Sequence, residues 1–252
     1  VLYATTTNRG AEKTPVVVFP PLGSTRRTLL NLQAAFEQHH FFGICVGRPG
    51  SEGASLPGST AAEQVAMHCE DIVAVLDHLQ IPKTSVLCMC AGTTFALALA
   101  AKYPDRTTGK FLILAPWTLP VDCPKHKRIL RFAAEYLPTG GVSYMVSSLF
   151  RTMINCFSKD FLAEKLQKQL SAEEKEHFEE RYQNKPDGAF ARDLDWSMTT
   201  DACTNETMDI MVCLSKSSDV GFDYSNLQDQ DIVIWQGDRD SMAYLPASQW
   251  LE

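Results

Sequence analysis

Residues 88–92 read Cys-Met-Cys-Ala-Gly, between one apolar run and the next. Cys90 is the residue in this stretch that could do chemistry. The pattern is small-x-nucleophile-x-small, the spacing of a nucleophile elbow. At such a turn the central residue is strained and its side chain projects above a sheet. The residues two before and two after must be small, because strand and helix pass close there. The next N–H, that of Ala91, lies at a helix N-terminus, where an oxyanion can be held. A helix N-terminus also lowers a thiol's pKa, so the position is expected to favour the thiolate.

Such a residue needs a strand before it and a helix behind it. The run "SVLCM" (85–89) predicts the strand, and 91–103 the helix, stopped at Tyr103-Pro104. Four other runs predict strands: "PVVVF" (15–19), "FFGICVG" (41–47), "KFLILA" (110–115) and "DIVIWQ" (231–236). Continuous β-branched runs suit strands buried on both faces. Residues 60–80 predict a helix, opened by the capping box Thr60-Ala61-Ala62-Glu63. Val65, Cys69, Ile72, Val75, Leu76 and Leu79 recur along it at helical spacing. Strands alternating with helices predict an α/β fold, a mostly parallel sheet flanked by helices on both faces.

Between residues 117 and 230 the pattern changes. Helical stretches are predicted around 125–137, 142–157, 159–170 and 171–184, with no strand among them. The expected organisation is a core of residues 1–116 and 231–252 with a helical lid, 117–230, inserted over the C-terminal edge of the sheet, where open α/β sheets bind ligands. Trp117, just after the fourth of the five predicted strands, is placed to line that pocket or to pack in the core.

In this order the pieces resemble the α/β-hydrolase superfamily, in its lid-bearing branch, from about residue 15 onward. "VVVFPPLGS" resembles the strand and turn that supply an oxyanion donor. Pro21 has no N–H, so Leu22 is the donor expected there. "GRPGSEGAS" (47–55) resembles a loop of the family, with Gly47 where an Asp is usual. "CMCAG" is the elbow, with Cys90 where Ser is usual and Cys88 where Gly is usual. "IVIWQGDRDSMA" resembles the late strand whose G-x-x-D supplies the acid, here Asp240. The resemblance implies hydrolysis of an ester, amide or related bond in a small apolar molecule. Cys90 would attack, Ala91 and Leu22 would hold the oxyanion, and Asp240 would orient a His base. No metal or organic cofactor is implied.

The family places its His after the acid. The six histidines here are at 39, 40, 68, 78, 126 and 177, all before Asp240. The expected base, with a last strand and helix, is therefore placed beyond residue 252. The rival expectation is a non-catalytic ligand-binding protein on the same fold.

The rest of the 252-residue chain narrows the class. Apolar residues make up 45%, charged residues 21%, and the net charge is −7. No basic patch supports nucleic-acid binding, and no run is suited to a stable membrane span. Eight cysteines occur without C-x-x-C or zinc-type spacing. They read as mostly reduced and buried, which points to a reducing, cytoplasmic setting.

Overall fold

The apolar runs form strands because alternate residues can be buried on opposite faces of one sheet. Val16 and Val18 pack on one side with Leu29, Phe36, Cys45 and Leu87. Val17 and Phe19 pack on the other, in a larger core with Ile44, Ile72, Leu76 and Phe95. This is a computed structural model, and it describes residues 1–6, 10, 12–51, 58–156, 171–172, 175–176, 206–227, 230–238, 240 and 243–251.

The strands are β1 (Tyr3–Thr5), β2 (Thr14–Phe19), β3 (Phe41–Val46), β4 (Thr84–Met89), β5 (Thr107–Leu114) and β6 (Asp231–Trp235). They lie in the order β1-β3-β2-β4-β5-β6. Every neighbouring pair is parallel except β1 with β3. The mostly parallel α/β sheet expected from the sequence is thus present. Strand β1 was not foreseen, because three residues carry no readable period.

Helix α1 (Thr28–Gln38) covers one face of the sheet through Leu29 and Phe36. On the other face lie α2 (Ala61–His78) and α3 (Gly92–Lys102). Thr60 caps α2 by accepting the Glu63 N–H at 3.2 Å. The Glu63 carboxylate accepts in return from the Ser59 N–H at 2.8 Å, one residue earlier than the expected reciprocal bond. Helix α3 is buried almost all round, from Gly92 to Ala100, as befits a helix wedged against the sheet centre.

Between β5 and β6 the described residues form helices joined by turns and loops, with no strand among them. Helix α4 (Arg128–Tyr136) and α5 (Thr139–Cys156) correspond to two of the predicted stretches. The prediction for 159–170 lies outside the described residues, as does most of 171–184. A helix the sequence reading did not foresee, α6 (Glu206–Cys213), packs against α2 and α5. Helix α7 (Leu245–Leu251) follows β6. Among the described residues no helix is long and apolar enough to cross a membrane.

Candidate active site

The turn after β4 holds Cys90 at φ 47°, in the left-handed region. A non-glycine residue there is uncommon and strained. Its neighbours over-determine it. Its N–H donates to Leu114 O at 3.1 Å, and its carbonyl accepts from Thr93 N at 3.0 Å and Trp117 N at 3.2 Å. Gly92 has no alternative. A Cβ built on it would lie 2.4 Å from Phe19 O and 2.8 Å from Pro20 O. The close approach of the β2 end to the start of α3 therefore requires glycine.

The two thiols of the elbow have different fates. Cys88 fills the position where a small residue was expected, is fully buried, and has its pKa pushed up to about 12 by that burial. Cys90 is partly exposed, whereas Cys45, Cys69, Cys88, Cys123 and Cys213 are buried; all six are free thiols. The thiol of Cys90 is not the low-pKa group expected at a helix N-terminus. Burial raises its pKa, and the Asp240 charge raises it further. The N–H groups of Ala91 and Leu22, together with the Arg48 charge, oppose the rise without cancelling it. Desolvation outweighs the helix dipole at a site this enclosed.

Leu22 comes from the turn after β2. Pro20 and Pro21 offer no N–H, so Leu22 supplies the first one available beyond Phe19. The turn closes through Ser24 N to Pro21 O at 3.2 Å, with Gly23 at φ 71°. Arg48, from the loop after β3, lies beneath this turn and is only 4% exposed. Its Nη2 stands 3.1 Å from Pro20 O, 2.5 Å from Pro21 O and 3.3 Å from Ser24 O. Its Nη1 donates to Asp209 Oδ2 at 2.6 Å. The guanidinium also lies 5.4 Å from the Phe95 ring centre. Burial raises the Asp209 pKa, against the pull of Arg48. Sequence reading gave neither residue a role. Arg48 sits in the recognised 47–55 loop, but its partner is 161 residues away.

Asp240 follows β6. Its N–H donates to Gly237 O at 3.2 Å, and its Oδ1 accepts from Ala243 N at 3.0 Å. The ends of β2, β4 and β6 thus bring Leu22, Cys90 and Asp240 to the C-terminal edge of the sheet. Trp117 joins this edge to α6. Its backbone N–H binds Cys90 O, and its Nε1 donates to Cys213 O at 2.9 Å.

The histidines lie elsewhere or are committed. His68 stands edge-on between Phe19 and Phe95, 1% exposed, with its pKa lowered to about 3 by burial and by the Arg48 charge. His126 packs on Trp117 and accepts the Lys127 N–H on Nδ1 at 2.9 Å. Burial and the Lys127 and Arg131 charges lower its pKa to about 4. His39 and His40 follow α1, and His78 meets Tyr3 edge-on. His177 lies outside the described residues.

A left-handed cysteine at the turn between a parallel strand and a buried helix is a specific arrangement. The sequence pattern of the α/β hydrolase fold family matches residues 14–249. The chain belongs to that family. Over 98 residues it is 30% identical to 3-oxoadipate enol-lactonase 2 of Acinetobacter baylyi, a match covering 38% of this chain and 36% of that protein. A hydrolase from Pseudomonas aeruginosa PA01 superposes on 99% of this chain and 80% of its own, with TM-score 0.62 and 14% identity. The enol-lactonase of Burkholderia xenovorans LB400 does so over 99% and 82%, with TM-score 0.59 and 16% identity. At those identities the structural likeness establishes the fold alone.

Proposed function

We propose that this α/β hydrolase cleaves an ester, lactone or related acyl bond of a small apolar molecule, with Cys90 as nucleophile. The Cys90 sulfur attacks the carbonyl carbon, and the N–H groups of Ala91 and Leu22 receive the oxyanion. The leaving oxygen departs, and water then releases the acid from the thioester. Asp240 orients a base that takes the thiol proton and gives it to the leaving oxygen as the thioester forms. That proton must be removed, because the raised pKa keeps Cys90 a thiol at neutral pH. Residues 117–230 act as a lid over the site. The observation that carries this reading is the left-handed turn that puts Cys90 between β4 and the start of α3, at the sheet edge that Asp240 also reaches. The enol-lactonases among the similar proteins supply the acyl class.

Incubation with 4-nitrophenyl acetate tests it. Release of nitrophenolate is expected, with an acetyl group on Cys90 by mass spectrometry and loss of both in Cys90→Ala. Acetylation elsewhere, or none, would remove the nucleophile assignment. The second reading, a non-catalytic ligand-binding protein, draws on the raised Cys90 pKa. It gains if the thiol is alkylated but never acylated.

A further inference from the structure

Arg48 is the most heavily engaged buried charge in the described structure, and the proposed chemistry does not use it. Its strongest backbone contact is the Pro21 carbonyl, at 2.5 Å. The Pro21 C=O and the Leu22 N–H are the two ends of one peptide unit. The described chain has no cis peptide bond. In a planar trans peptide these two groups point in opposite directions. A guanidinium that holds the carbonyl therefore also sets the aim of the N–H on the far side. The further bonds to Pro20 O and Ser24 O fix the turn on either side of that peptide. A cation on the carbonyl oxygen also polarises the amide, which strengthens its N–H as a donor.

We infer that Arg48 is a positioning residue for the Leu22 oxyanion donor, and that Asp209 on α6 locks the guanidinium in that role. The assignment rests on Cys90 being the nucleophile. It adds a link that the fold alone does not require: a residue of the helical segment between β5 and β6 controls the oxyanion site through one buried charge. Neither Arg48 nor Asp209 needs to touch substrate for this.

Two reagents aimed at the same sulfur isolate the effect. Iodoacetamide alkylates a thiolate without forming an oxyanion. An aryl ester such as 4-nitrophenyl acetate acylates it through one. The ratio of acylation to alkylation rate at Cys90 therefore reports the oxyanion donors, and any change in thiolate supply divides out. In Arg48→Met the ratio is expected to fall about tenfold or more, part of the ~10²–10³-fold that loss of a whole oxyanion donor costs. Arg48→Lys, which keeps the charge but not the fork, should show a smaller fall. Asp209→Asn should do the same while leaving Arg48 in place. Protection of buried Cys69 and Cys88 from iodoacetamide reports that each variant is folded. An unchanged ratio in a folded Arg48→Met overturns the assignment and leaves Cys90 as nucleophile. If Arg48→Met exposes Cys69 and Cys88, the ratio in Arg48→Lys decides in the same way. Wild-type protein that is alkylated but not acylated at Cys90 overturns the nucleophile itself, a distinct result.

Discussion

Cys90 and Asp240 end two parallel strands of the same sheet, yet they are held in opposite ways. Strand β4 lies between β2 and β5, and the turn beyond it is locked by bonds to β5, to α3 and to Trp117. Strand β6 lies at the edge of the sheet, with Val233 49% and Trp235 66% exposed. Asp240 is positioned by a local turn through Gly237 and Ala243. The Cys90 side is set by tertiary packing, whereas the Asp240 bonds through Gly237 and Ala243 are local in sequence. Damage on the first side should therefore appear as lost stability, and damage on the second as altered reactivity.

The contrast breaks most visibly at the buried ion pair. Asp209→Ala leaves the Arg48 charge buried without its carboxylate and should destabilise the fold by about 3–5 kcal/mol, read from urea unfolding. A loss under 1 kcal/mol would show that the elbow side is not held from outside.

Acid should act on the same side. The folded-state pKa of His68, about 3, is below its ordinary 6.5. The unfolded chain therefore binds a proton first as pH falls. The stability of neutral His68 is complete above about pH 6.5 and erodes toward pH 3, by up to ~1.4 kcal/mol per pH unit in that window. His68→Leu should flatten the pH dependence of Tm there, leaving the slope from His126. An unchanged slope would place the acid sensitivity elsewhere.

Two glycines give a matched pair. Gly92→Ala drives a methyl into the Phe19 and Pro20 carbonyls and should cost about 1–3 kcal/mol. Gly237→Ala meets nothing within 4 Å and should stay within about 0.5 kcal/mol. Equal losses in thermal melts would erase the distinction between the two sides.

The smallest effect belongs to Asp240. Asp240→Asn removes a negative charge that raises the Cys90 pKa. Alkylation of Cys90 at pH 8 should quicken by roughly two- to fivefold, the scale of a solvent-screened charge, with Tm almost unmoved. A slower reaction would mean that the carboxylate helps the thiolate form.

The elbow is legible in the sequence because its demands are local. Cys90, Ala91 and Gly92 are adjacent, and the strand and helix around them have strong periods. Strands β2 to β6 are equally readable as apolar runs. Arg48 and Asp209 could not be found that way. A buried ion pair between residues in different elements leaves no spacing to detect, and α6 spans only eight residues. The state of the Cys90 thiol was misjudged for a related reason. The helix N-terminus is visible in sequence, but the burial that outweighs it is a property of the assembled fold.

Trp117 has an optical consequence. Its indole N–H is tied to Cys213 O, its ring meets His126 edge-on, and its backbone holds Cys90. Trp235, by contrast, is largely in water. The two indoles should therefore emit at different wavelengths, the enclosed one further to the blue. A protein in which Trp196, Trp235 and Trp250 are replaced by Phe would carry beside Cys90 a single fluorophore that reports, through colour and intensity, whether α6 stays seated on the elbow as a ligand arrives.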